Sequence, residues 1–340
     1  DALAEYSELR GKVAKGEKVA PSKLRFRDVA EEWWASDESP KATSTRLLYR
    51  GALDNELLDY LGHRRLAEID LDVILGLLSK WKARGLSKKT CENYLGPVRG
   101  VFTYAGRRGL VTSNPLTLLR PSDFPEASAG KAYEWTQEEI DALLDASRYF
   151  ARQPEARADY SPILTFAVYT GLRLGEILGL NWGDVDLGEK PVVTVRQQFT
   201  KYGEITDPKT GAGKNRRVPL WPEAEAVLRD LRKKAFAAGR ASADDPVFTS
   251  RNGSRLQHRN VQRRGFERAR DHAELLEHLT FHDLRHGFAS LAADRGISVT
   301  FLSSVIGHAN VSTTQKTYIH LFDREAHEDA FRQAGQAVGQ

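Results

Sequence analysis

The stretch Pro-Ser-Asp-Phe-Pro-Glu-Ala-Ser-Ala-Gly at residues 121–130 limits the possible folds of this chain more than any other feature. Rich in Pro, Ser, Ala and Gly, it has the composition of a linker, and Asn114-Pro115 belongs to the same break. With 340 residues, more than one core of ordinary size takes up, the chain is expected to form two domains around it. Before the break, residues 26–36, 42–60, 71–84 and 87–108 carry apolar side chains at helical spacing, the second through Leu47, Leu48, Leu53, Leu57, Leu58 and Leu61. Ser39-Pro40, Gly62, Gly85 and Gly109 separate these segments, and Pro97 is expected to kink or divide the last. After the break, Thr136-x-x-Glu139 reads as a capping box, and residues 162–170 and 172–180 as helices. Residues 192–200, alternating and β-branched, read as a strand turning back near Tyr202-Gly203. A further strand is expected to end at Arg217-Val218-Pro219-Leu220 and a short one at Val247-Phe248, ahead of an Asn252-Gly253 turn, with helices otherwise from Pro222 onward. The expected fold is mainly α with a small antiparallel sheet: an all-helical first domain, then an α+β second domain.

Hydrophobic residues make up 41% and charged residues 28% of the chain, and no apolar run approaches the ~20 residues of a membrane-spanning helix. No membrane segment is expected. The first twenty residues lack the apolar centre of a signal peptide and an initiator Met, so a fragment or processed form is expected, with a cytoplasmic location as the default. The single Cys91 excludes an internal disulfide framework. Net charge is only +4, but the cations cluster. Residues 80–108 hold eight Lys/Arg (Lys80, Lys82, Arg84, Lys88, Lys89, Arg99, Arg107, Arg108) against Glu92, and residues 251–270 hold seven Arg against Glu267. Such runs neutralise phosphates, although any one of them alone is as well explained by a solvated helix face.

Four motifs carry chemistry. In Thr170-Gly-Leu-Arg-Leu-Gly-Glu176, Gly171 suits a tight turn into a helix, and Arg173 and Glu176 stand three apart, so the carboxylate can hold a guanidinium aimed at phosphate oxygens. Taken alone, an exposed salt bridge is the more economical account. In His282-Asp-Leu-Arg285-His286, a titratable group and a cation share a helix face. His282 and His286 at i, i+4 also raise a zinc site, but Asp283 stands where a zincin has Glu, and His286 reads equally as a satisfied buried histidine. Ile306-Gly-His308 leads to Tyr318 ten residues on, with Ser312-Thr313-Thr314 placed to cap the helix carrying it. A tyrosine at helical spacing is ordinarily core, so Tyr318 draws its interest from this context. Asp207-Pro-Lys209-Thr-Gly-Ala-Gly-Lys214-Asn-Arg-Arg-Val-Pro-Leu220 reads as a basic, Gly-containing strand turn or, alone, as a mobile hairpin.

In this order, TGLRLGE, the turn ending RRVPL, HDLRH and GHANVSTTQKTY resemble the catalytic domain of the tyrosine recombinases of the phage integrase family. SKKTCENYLGPVRGVFTYAGRRGLVTSNPL resembles the last helix of that family's core-binding domain and its exit, and the likeness spans roughly residues 24–325. The expected domains are an extension or linker at 1–23, a core-binding domain at 24–120, a linker at 121–132, a catalytic domain at 133–325 and a tail at 326–340, whose packing on a neighbouring protomer is expected from an apolar stripe. Leu321, Phe322, Ala326, Ala330 and Phe331 form the apolar stripe of that end. The resemblance also implies a metal-independent, cofactor-free site-specific recombinase acting on double-stranded DNA through a 3′-phosphotyrosine on Tyr318. Arg173 and Arg285 would grip the phosphate, His308 would add a hydrogen bond, and His282 would assist proton transfer at the tyrosine. Lys209 would protonate the leaving oxygen, with Lys214 as the alternative, and Glu176 would support Arg173. DNA contacts are expected from Arg46, Arg50, Lys88, Lys89, Asn93, Arg99, Arg259 and Arg263, and the partners implied are a homo-tetramer on DNA and accessory host DNA-bending or directionality factors. A type IB topoisomerase would share the chemistry, a catalytically silent DNA-binding protein the fold, and a metal-dependent nuclease the substrate.

Overall fold

In the computed structural model the chain divides into two compact units between residues 130 and 131. The described residues are 24–126, 133–153, 158–208, 211–308 and 310–318. Residues 1–23, the end of the expected linker, Lys209 and the expected tail at 326–340 lie outside them.

The first unit is helical. α1 (Phe26–Ala35) buries Phe26, Val29, Ala30 and Trp33, the stripe its spacing predicts. α2 (Thr43–Ala52) continues through a π-helical turn, Leu53–Leu57, into Leu58–Leu61. That wide turn shifts the phase of the helix, so only part of the predicted leucine stripe reaches the core. Leu53, Leu57 and Leu61 are fully buried, whereas Leu47 and Leu48 face solvent. α3 (Leu71–Ala83), capped by Asp70, buries Ile74, Leu77, Leu78 and Trp81. α4 (Lys88–Arg107), capped by Ser87, continues through Pro97, which therefore does not divide it. The reason is packing: α4 lies against α1 and α2, and at Gly96 a Cβ would fall 2.5 Å from the Tyr49 ring. A helix held that closely tolerates one missing hydrogen bond.

The second unit opens with α5 (Gln137–Ala151), whose predicted capping box is present: the Thr136 hydroxyl accepts from Glu139 N at 3.2 Å, and the Glu139 carboxylate from Thr136 N at 2.9 Å. α6 (Ser161–Val168) and α7 (Leu174–Gly179) follow, then β1 (Val185–Asp186), β2 (Val192–Val195), β3 (Gln198–Phe199), β4 (Ile205–Thr206) and β5 (Arg216–Pro219). β1, β2 and β5 form an antiparallel sheet in that order, and β3 pairs with β4. The strand expected over 192–200 is thus split in two, each half with its own partner. Val193 pairs with Val218, and both are fully buried.

α8 (Pro222–Ala237) follows β5. The expected Val247-Phe248 strand is absent: both side chains are buried, but pairing is limited to isolated bridges at Pro246 and Thr249. α9 begins as His258–Asn260, widens into a π-helical Val261–Glu267 and ends as Arg268–His272. α10 (Asp283–Asp294) packs on α6, and α11 (Val299–Ile306) packs on both β5 and α12 (Val311–Tyr318). Ser312, Thr313 and Thr314 lie inside the first turn of α12 rather than capping it, because the helix starts at Val311, ahead of all three. The architecture matches the expected mainly α class with small antiparallel sheets. Among the described residues no helix is long and apolar enough to cross a membrane.

Candidate active site

Arg173 is the residue from which α7 starts. Its backbone N–H donates to Glu176 Oε2 and its Nη1 to Glu176 Oε1, both at 2.9 Å, so the i, i+3 spacing becomes a reciprocal cap that fixes the guanidinium. The turn before it needs Gly171: φ is +62°, and a Cβ would meet the Phe288 ring at 2.4 Å. Because Phe288 belongs to α10, this contact brings α10 against the turn, and Arg285 Nη1 donates to Gly171 O at 2.8 Å. Arg285 is 3% exposed, and its Nη2 finds no partner among the described residues. Burial, and next the charge of Arg173, bring its guanidinium down to about 9. A buried guanidinium nitrogen beside a second arginine is a donor suited to an oxyanion.

Glu176 has a second partner that the sequence reading missed. Arg216, inward-facing on β5, donates through Nη2 and Nη1 to the two carboxylate oxygens at 2.7 and 3.2 Å. Its Nε donates to Val305 O at 2.9 Å and Nη1 also to Gly213 O at 3.0 Å. Burial alone would raise the Glu176 carboxyl, but Arg216 and Arg173 reverse this and hold it below the usual carboxylate range. The signal lay in strand alternation: if Val218 faces the core, so does Arg216, and a cation there needs a carboxylate.

α11 ends at Gly307, whose φ is +69° and whose Cβ would fall 2.9 Å from Arg216 Nε. His308 follows directly, its Nδ1 sharing a 2.8 Å hydrogen bond with the buried Thr314 hydroxyl. Burial, then the charges of Arg285 and Arg173, push His308 down to about 4. His282 precedes α10 and is likewise held at about 4, by desolvation and then by Arg285, although much of its side chain meets solvent. Tyr318 is 1% exposed, and burial raises its phenol to about 12 against the pull of Arg285 and Arg173. Its hydroxyl is hydrogen-bonded at 2.8 Å to Nδ1 of His286, one helical turn after His282. The structure thus gathers Arg173, Glu176, His282, Arg285, His308 and Tyr318 in one place and adds Arg216 and His286.

Lys214 is ion-paired with Asp207 at 2.8 Å near the surface, and Lys209 lies outside the described residues. The residues expected to contact DNA differ in their present partners. Glu31 and Asp54 take both edges of the Arg50 guanidinium. Arg46 spends Nη1 on Ser39 and Pro40 and stacks over Trp34, Lys88 lies over Phe124, and Lys89 stands 3.9 Å from Glu92. Asn93 is half-buried, whereas Arg99, Arg259 and Arg263 are exposed with no ion-pair partner among the described residues. No group of three His, Cys, Asp or Glu among the described residues is arranged to hold a metal ion.

Comparison with known proteins identifies the family. The profile of the phage integrase family matches residues 134–325, and that of the phage integrase central domain matches residues 26–122. The tyrosine recombinase XerC of Alcanivorax borkumensis is 31% identical over 240 residues, covering 70% of this chain and 71% of its own. XerC of Rhodospirillum centenum is 28% identical over 327 residues, covering 92% and 90%. Among solved structures, the Tn1549 transposon integrase in complex with a circular intermediate DNA superposes with a TM-score of 0.73 at 19% identity, covering 92% of this chain and 100% of that one. A lambda integrase dimer bound to a COC′ core site gives 0.64 at 18%, covering 89% and 79%. The fold is shared with these integrases, and the chain belongs to the phage integrase family of tyrosine recombinases.

Proposed function

We propose that this recombinase cuts and rejoins DNA by attack of Tyr318 on a phosphodiester held by Arg173 and Arg285, leaving a 3′-phosphotyrosine and a free 5′-hydroxyl. The observation that carries the reading is the Nη2 of Arg285, without a partner among the described residues and buried beside Arg173 in the setting of Tyr318. Negative charge grows on the non-bridging oxygens in the transition state, so donors fixed in advance lower the barrier more than they tighten ground-state binding. His308, with Nδ1 engaged by Thr314, has Nε2 left to donate to the same phosphate. His282 lies beside these cations as a neutral imidazole. Lys209 is the favoured acid for the departing 5′-oxygen, since Asp207 already holds Lys214. The phosphotyrosine keeps the energy of the broken bond, so a second 5′-hydroxyl can reverse the step without a high-energy cofactor.

Double-stranded recombination sites are the substrate of this reading, for integration or excision of a mobile element or phage. Four protomers on two sites, with residues 321–340 of each packed on a neighbour, complete it, and host DNA-bending or directionality factors are further partners. Unchanged assembly on DNA after deletion of residues 323–340 would refute the packing. The chemistry is tested by covalent capture. A nicked duplex selected from a randomised pool on the wild-type chain is expected to give a denaturation-resistant adduct that persists in chelator and vanishes in Tyr318→Phe. An adduct that survives that substitution, or that needs a divalent metal, would overturn the proposal.

A further inference from the structure

Building on the Tyr318 reading, we propose that His286 is a catalytic residue which takes the phenolic proton at Nδ1 as the tyrosine attacks and returns it when the tyrosine leaves. The sequence offered His286 as a zinc ligand or a satisfied core histidine, and gave the proton to His282. The geometry points elsewhere: the hydrogen bond to the Tyr318 hydroxyl, 2.8 Å long, comes from His286 Nδ1. Its direction follows from satisfaction of buried groups. Tyr318 is 1% exposed and among the described residues no other acceptor within hydrogen-bond distance is found for its hydroxyl, so a proton placed on Nδ1 would orphan the phenolic hydrogen. The phenol therefore donates, and the imidazole carries its own proton on Nε2. Desolvation also favours the neutral ring, whose Nδ1 lone pair is what a base requires.

The step balances. The Oη–P bond forms as the P–O5′ bond breaks, the phenolic proton passes to Nδ1, and the 5′-oxygen leaves with a proton from the lysine of the strand turn. His286 is then an imidazolium, and Asp283, one turn earlier on α10, favours that charged form. In the return step the 5′-hydroxyl yields its proton to the lysine, attacks phosphorus, and Oη departs to recover the proton from Nδ1. Each half-reaction leaves the histidine ready for the other. A phenol raised to about 12 by burial needs such an acceptor more than an exposed tyrosine would.

The test uses the full chain and the nicked duplex selected by the wild type, followed in single-turnover adduct formation. His286→Ala is expected to slow adduct formation by about 100-fold or more while noncovalent binding of the duplex stays within about twofold. Placing 3,5-difluorotyrosine at position 318, whose ring fluorines acidify the phenol, is expected to recover about tenfold or more in that variant and far less in the wild type, because an acidic nucleophile depends less on a base. His286→Asn, which keeps a polar group at the same spot, guards against a folding defect and should show the same response to fluorination. Cleavage by His286→Ala at the wild-type rate or faster would overturn the proposal and mark the bond as a resting contact. A slow variant indifferent to fluorination would overturn it in favour of a packing role. Failure of the wild type to form any Tyr318-dependent adduct would instead remove the reading beneath it.

Discussion

At the scale of single residues, the site stores electrostatic discomfort that DNA would relieve. Arg285 is buried with one nitrogen unpartnered among the described residues and Arg173 nearby, an arrangement that costs folding free energy and that the proposed phosphate would offset. Arg285→Met is therefore expected to unfold at a temperature no lower than the wild type while losing at least ~100-fold in adduct formation, read by calorimetry and single-turnover capture. The histidines carry the same tension into pH dependence. His282 and His308 lie near 4 in the fold and near ~6.5 unfolded, so the unfolded chain binds more protons between those values. Their contribution to stability is complete above ~6.5 and is lost as pH falls from there through about 4. The urea midpoint should drop across that window and drop less in the paired variant His282→Asn with His308→Asn. Arg173, Arg285, His308 and Tyr318 drew attention in the sequence because their motifs resemble those of the tyrosine recombinases. Arg216 and His286 were not legible in that way, since each takes its meaning from a partner 40 or 32 residues away.

At the scale of elements, what matters is where one helix stops. α11 closes on Gly307 in a left-handed conformation, and the chain then turns so that His308 meets Thr314 and β5 presents Arg216 to Val305 O. Gly307→Ala forces a side chain into that conformation, costing about 1–2 kcal/mol, and sets its Cβ 2.9 Å from Arg216 Nε. We expect a stability loss at or above the upper end of that range in urea unfolding, with adduct formation falling too because Arg216 must move. Helix positions and caps were largely legible, as Thr136 with Glu139 and α1 illustrate. The exceptions arose where tertiary packing outweighed local rules: Pro97 inside an unbroken α4, the phase shift at Leu53–Leu57, and buried Val247 and Phe248 with no strand to join.

At the scale of the whole molecule, each unit has a core of its own. Phe26, Leu57, Ile74 and Trp81 belong to one, Ile140, Phe166, Val218 and Ile306 to the other, and each such side chain contributes about 1.5–3 kcal/mol on burial. Residues 1–130 and 131–340, expressed separately, are expected to unfold cooperatively, each with a single calorimetric transition; a fragment that melts without one would refute this. In the second unit one buried carboxylate, Glu176, is gripped from α7 by Arg173 and from β5 by Arg216, which itself holds the end of α11. A nascent or broken copy that lacks any one of these segments cannot assemble this arginine cluster, so on the proposed mechanism a half-made chain is harmless to DNA.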